Sequence, residues 1–134
     1  MKKDIPVYKV EDVAIAITPE GGNPEAQIWD VYLLNLKDEP ILNVLVNSRG
    51  YGEIEGDTKK TETLRYFFDD LAGKSYVKIE ILNPDLLKLA NEYWVSFNLN
   101  DYMYDKKYIF VKGSLEASNF TNVPILGEKG VMIK

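Results

Sequence analysis

The sequence predicts an all-β fold: one antiparallel, immunoglobulin-like β-sandwich of seven to eight strands with one short helix, filling residues 1–134 as a single domain. Apolar residues recur with period two along most of the chain, and turn residues separate these runs at short spacing. Only "NPDLLKLAN" (83 to 91) reads as helix, for two turns at most. A partly open barrel is the alternative closure of the same strands. With 46% apolar residues in 134, folding can bury roughly two thirds of the unfolded surface without help from metals or disulfides.

The first strand, "VAIAIT" (13 to 18), alternates Val13, Ile15 and Ile17 with Ala14, Ala16 and Thr18. Segments 29 to 36 and 41 to 48 are expected to form a hairpin turning at "KDEP" (37 to 40), pairing Leu36 with Ile41, Leu33 with Val44 and Val31 with Val46. "RGYGEIEGDTKK" (49 to 60) turns the chain into a strand at 61 to 68. "LAGKS" is a tight connection in which Gly73 is expected to supply an unusual backbone angle. The next strand, 75 to 81, sets Val77, Ile79 and Ile81 against Tyr76, Lys78 and Glu80. In 92 to 99, Tyr93, Val95, Phe97 and Leu99 oppose a polar face of Glu92, Trp94, Ser96 and Asn98. A two-residue turn at Asn100-Asp101 then brings Leu99 to Tyr102, Phe97 to Tyr104 and Tyr93 to Tyr108. All these pairs fall on the apolar face, as register demands. Strands at 106 to 112 and in the terminal "GVMIK" complete the set.

Charge and residue usage exclude much chemistry. Twenty-one acids against 16 bases leave a net charge of -5, which opposes nonspecific binding to nucleic acid or anionic lipid. The chain has neither cysteine nor histidine. That removes thiol nucleophiles, the commonest general base near neutral pH and the usual ligands for zinc or copper. No cofactor is expected, and only an oxygen-ligand metal site remains chemically open. In "MKKDIPVYKV", Asp4 and Pro6 interrupt the apolar core a secretion leader needs. No apolar run is long enough to span a membrane, so a cytoplasmic protein is expected.

Three motifs suggest sites, and each has a plainer structural explanation. Glu53, Glu55 and Asp57 are spaced as calcium-loop ligands are, yet an EF-hand counted from Glu53 meets Thr58 where glycine belongs and Leu64 where glutamate belongs. "AGKS" (72 to 75) ends like a phosphate-binding loop, but Phe68 stands at the earlier glycine and a strand follows instead of a helix. Asp101, Tyr102, Tyr104 and Asp105 set aromatics beside acids at a hairpin tip, where they could stack on a sugar or hydrolyse a glycosidic bond. The same tyrosines face the core in the expected register. Asn119-Phe120-Thr121 matches a glycosylation acceptor, which carries no weight without a secretion signal.

The 29 to 48 hairpin is apolar on both faces, with Val31, Leu33, Leu42, Val44 and Val46 on one and Tyr32, Leu34, Leu36, Ile41 and Leu45 on the other. A two-layer sandwich covers one face of each sheet, so something must cover the second. The short helix or the N-terminal segment with Val7 and Val10 could lie across it. The functional expectation is a contact surface through Tyr32, Leu34, Leu36, Ile41 and Leu45, for a protein partner or a second copy in a homodimer.

The stretches "VLVNSRGYG", "NEYWVSFNLNDYMYDKKYIF" and "GVMIK" resemble a group of short bacterial proteins of unknown function, over most of the chain. Members of that group often carry the label phenylalanyl-tRNA synthetase alpha subunit, which implies ATP or tRNA binding. A class II synthetase core holds ATP through an arginine-bearing motif and is larger than this chain. The arginines here are Arg49 and Arg65, and no site residue carries over.

Overall fold

The computed structural model describes residues 9–134; the leader reading at Asp4 and Pro6 and the covering role of Val7 lie outside them. Among the described residues ten strands form two antiparallel sheets. In chain order they are β1 (Val13–Pro19), β2 (Trp29–Asn35), β3 (Ile41–Ile54), β4 (Asp57–Lys60), β5 (Leu64–Leu71), β6 (Ser75–Leu82), β7 (Ala90–Leu99), β8 (Tyr102–Phe110), β9 (Thr121–Val123) and β10 (Glu128–Ile133). Among the described residues one α-helix, α1 (Pro84–Leu87), lies between β6 and β7, and single 3-10 turns occur at Glu20–Gly22 and Ala117–Asn119. The first sheet has the order β6-β2-β1-β10-β9; the second has β4-β3-β7-β8, with β5 also paired to β3. β6-β2-β1 facing β5-β3-β7-β8 is the Greek-key arrangement of an immunoglobulin-like sandwich, and β9 and β10 extend its first sheet.

The inward faces interdigitate. Ile15, Ile17, Val31 and Leu33 meet Ile41, Val44, Val46, Tyr93, Phe97, Tyr108 and Phe110, each at most 1% exposed. Burial of each such side chain stabilises the fold by about 1.5–3 kcal/mol against exposure. The Tyr108 hydroxyl donates to the Val13 carbonyl at 2.7 Å across the sandwich, so the aromatic core satisfies its polar atom. The β7–β8 hairpin has the expected register, with Leu99 opposite Tyr102, Phe97 opposite Tyr104 and Tyr93 opposite Tyr108. Asn100 and Asp101 take φ of 52° and 66°, the left-handed pair of a type I′ turn.

The 29 to 48 hairpin does not form. β2 pairs with β1 and β6, and β3 pairs with β5, β7 and β4, so "KDEP" carries the chain from one sheet to the other. The buried side chain of Asn35 fixes this crossing. Its Nδ2 reaches the carbonyls of Glu39, Leu71 and Ala72 at 2.9–3.2 Å, and its Oδ1 accepts from the Lys37 amide at 3.1 Å. Gly73 closes against the same loop. Its φ is not the unusual one; Lys74 carries a φ of 52°. Glycine is needed at 73 for space, because a Cβ would overlap the Asp38 carbonyl and sit 2.9 Å from the Glu39 amide nitrogen. Gly73→Ala is therefore expected to cost about 1–3 kcal/mol, read as a lower urea midpoint. An unchanged midpoint would mean that the crossing loop moves aside freely.

Two bulges reset the alternation. In β3, Leu42 faces Asn98 and Leu45 faces Ser96, leaving one extra residue, with Asn43 at φ 49°. Ile41 is thereby turned into the core at 0% exposure while Leu42 turns out at 43%. In β6, Glu80 faces Val31 and Lys78 faces Tyr32, so Ile79 is extra. Ile79 and Glu80 both point inward, and Ile81 is 49% exposed.

Among the described residues, the outer face of the first sheet is covered by the turn between β9 and β10 and not by the short helix. Ala14, Ala16 and Leu34 form a small second cluster with Val123, packed by Tyr32, Leu36, Leu126 and Met132. Small residues on β1 make room for the turn between β9 and β10. Val10 instead joins the main core, where Leu86 and Leu87 of α1 also pack. α1 is shorter than 83 to 91 and starts at Asn83, whose Oδ1 caps the Leu86 amide at 3.0 Å. β5 and β8 begin and end elsewhere than expected, β3 runs on to Ile54, and the short β4 and β9 are additions to the expected set. Among the described residues no helix is long and apolar enough to cross a membrane.

Candidate binding face on the second sheet

Strand register builds a surface from the outward side chains of β5, β3, β7 and β8. One row across the four strands reads Arg65, Asn47, Trp94, Lys107. The row beside it places Arg49 opposite Glu92 and Glu92 opposite Ile109. On the other side, Phe67, Leu45, Ser96 and Asp105 are neighbours, followed by Asn98 opposite Met103. Phe67 is 60% exposed, Met103 69%, Trp94 41% and Ile109 40%. β7 contributes Glu92, Trp94, Ser96 and Asn98 to this face, as expected, and its neighbours β5 and β8 add the exposed apolar Phe67, Met103 and Ile109.

Local interactions hold its centre rigid. Arg49 donates through Nε to Glu92 at 2.8 Å, and hydrogen bonding to that carboxylate pushes the guanidinium pKa further up. The Trp94 indole N–H donates to Asp105 at 3.1 Å, while the Lys107 ammonium sits 4.8 Å from the Trp94 ring. Among the described residues neither Arg65 nor Lys107 has an ion-pair partner. A cleft of about 210 Å³ opens here, lined by Asn47, Arg49, Thr63, Arg65, Glu92, Trp94 and Lys107. Asn47 Oδ1 is buried with no hydrogen-bond partner among the described residues, a deficit typically worth about 1–3 kcal/mol.

A second cleft, of about 250 Å³, opens between the sheets beside Ser48, Thr61, Leu64, Leu86 and Asn91, with Glu80 at its wall. The Glu80 carboxylate accepts from the hydroxyls of Ser48 at 3.0 Å, Tyr66 at 2.7 Å and Tyr93 at 2.8 Å. Partial burial and the bond to Glu80 push the Tyr66 pKa up to about 12; burial, with the Glu80 charge, raises that of Tyr93 further. Three donors on one carboxylate tie the sheets together, so this cluster is structural.

The residues singled out in the sequence scatter. Leu34 and Ile41 are fully buried, in the second cluster and the main core respectively. Tyr32 and Leu36 are half-buried beside the β9–β10 turn. These four cannot form one docking surface, because the chain crosses sheets between them and covers the outer face itself. Leu45 alone lies on the exposed face described here. Asp101 sits in the turn, Tyr104 stacks on Phe97 with centroids 5.3 Å apart, Tyr102 shares Tyr104's side of β8, and Asp105 points to the opposite side, toward Trp94. The aromatic-acid constellation is therefore split between two faces of β8. Glu53, Glu55 and Asp57 are exposed on the β3–β4 hairpin, whose turn is Glu55-Gly56 with φ of 53° and 82°. Among the described residues no group of three or more His, Cys, Asp or Glu side chains is gathered as metal ligands would be. The outward placement of Trp94 and, through the Asn100-Asp101 turn, of Lys107 opposite it was legible, but Arg65 and Phe67 come from a strand whose pairing periodicity does not specify.

The fold and this face define a β-sandwich with an aromatic and cationic sheet surface. No family model, curated protein or solved structure matches the chain.

Proposed function

We propose that the protein is a non-catalytic β-sandwich module acting through contact with another protein, and that the contact face is the outer surface of β5-β3-β7-β8. One observation carries this reading: exposed Phe67, Trp94, Met103 and Ile109 share one sheet face with both arginines of the chain. Aromatic residues, methionine and arginine are the side chains enriched in protein interfaces, and tryptophan and arginine lead among energetic hot spots. The first sheet packs Ala14, Ala16 and Leu34 under the β9–β10 turn and exposes Tyr76 and Ile81 on β6, without an arginine beside them.

The test is quantitative capture from a lysate with three baits: wild type, the Phe67→Ser/Trp94→Ala double variant, and Ile81→Ser on the first sheet. Both altered surfaces are exposed, so folding should change little. A partner enriched by wild type and Ile81→Ser, but reduced at least about 30-fold with the double variant, is expected for loss of one hot spot. Equal capture by all three baits would refute the assignment.

A further inference from the structure

The charge pattern of the cleft specifies its occupant. We propose that the cleft between Arg65 and Lys107 binds an extended acidic segment of the partner protein, with two carboxylate side chains four residues apart. This rests on the proposed role of the face and adds the chemistry it selects.

The lining holds three cations, Arg49, Arg65 and Lys107, against one carboxylate, Glu92. The Glu92 charge is spent on Arg49 at 2.8 Å, so Arg65 and Lys107 remain to meet incoming anions. This cationic region belongs to a chain of net charge -5, so it is local; Asp105 stands in the adjoining row, accepting from the Trp94 indole at 3.1 Å, and Asp69 is one row further off. Arg65 on β5 and Lys107 on β8 are three strand spacings apart, about 14 Å. An extended peptide advances about 3.3 Å per residue, so carboxylates at i and i+4 span that interval. Between them the segment would cross Asn47 and Trp94. Rotation of the Asn47 amide turns its unpartnered Oδ1 toward a peptide N–H, and the Trp94 ring offers an apolar seat for the middle side chain. A second copy packed isologously is disfavoured at this row, because its cations would be brought against cations.

The chain's two tryptophans supply the readout. Trp29 is 3% exposed with its indole N–H donating to the Ala26 carbonyl at 3.0 Å, whereas Trp94 lines the cleft. Nitrogen-15 NMR titration would use short synthetic peptides carrying two glutamates four residues apart, with a leucine midway between them. One control replaces both glutamates by glutamine, and the other sets them two residues apart. The peptide with the four-residue spacing should move the Trp94 indole signal and leave that of Trp29 in place. It should bind more tightly than either control and weaken as salt is raised. Arg65→Gln and Lys107→Gln should each reduce affinity about three- to fivefold. A stationary Trp94 signal at millimolar peptide, or affinity unchanged in both variants, would overturn the proposal. So would movement of the Trp94 signal with protein concentration alone, which would identify a second copy as the occupant. If the peptides fail while the double variant still loses a captured partner, the acidic chemistry is wrong and the face stands; if capture is equal as well, both fall.

Discussion

Replacing Glu80 by alanine is expected to lower stability by about 3 kcal/mol, or roughly 10 °C in melting temperature. The carboxylate stands on β6 of the first sheet, and its three donors, Ser48, Tyr66 and Tyr93, stand on β3, β5 and β7 of the second. Truncation removes three hydrogen bonds to a charged acceptor and leaves the Tyr93 hydroxyl buried without its partner. Tyr93 is fully buried, so its hydroxyl has little access to replacement water, whereas Ser48 borders the open cleft. Such networks are worth more than their separate bonds. Glu80→Gln, which keeps the shape and one acceptor oxygen, should lose less. Urea unfolding of Glu80→Ala, Tyr93→Phe and the double variant would give the coupling. A loss under about 1 kcal/mol for Glu80→Ala, with no coupling to Tyr93, would show that the cluster does not tie the sheets.

The second large effect is alkaline instability. Burial raises the pKa of Tyr93 and Tyr108 well above 10, so both stay protonated in the folded protein while unfolded tyrosine ionises near pH 10. Their contribution is intact below about pH 10 and is lost as pH rises above it, because ionisation favours only the unfolded chain. The linkage slope is about 1.4 kcal/mol per pH unit for each tyrosine, or about 2.7 for the pair. Tyr66, pushed up to about 12, steepens the loss in the same direction. Unfolding free energies from urea titrations should begin to fall near pH 10 and approach this slope above about pH 11. Tyr108→Phe loses the bond to Val13 and starts lower, yet its midpoint should decline less steeply. Parallel profiles for the two proteins would contradict the assignment.

Where the sequence was legible, local geometry set the register. Asn and Asp in a two-residue turn, flanked by strict alternation, determine every pair from Leu99–Tyr102 to Tyr93–Tyr108. The "KDEP" segment misleads because loop length and flanking apolar residues are the same for a hairpin and for a crossing between sheets. What distinguishes them is the buried Asn35 amide, whose partners at Leu71 and Ala72 are 36 and 37 residues away. The apolar second face of 29 to 36 is plain in the sequence, but its cover comes from Val123 and Leu126, near the other end of the chain. Bulges are invisible for a related reason. Val77, Ile79 and Ile81 alternate without a break, and no glycine or proline marks the extra residue that turns Glu80 inward. The candidate face inherits both difficulties: each strand displays its outward residues, while the order of strands that gathers them is a long-range property.

β1 and β10 run antiparallel, with Ile15 opposite Ile133 and Ile17 opposite Val131. The chain therefore enters β1 and leaves β10 at the same end of the sheet. Tension applied through those two points would peel the strands apart like a zipper, loading one pair of backbone bonds at a time. Strands pulled from opposite ends would instead share the load in shear. Resistance to force thus depends on the direction of loading, and a sandwich well stabilised against urea can still yield first along this seam.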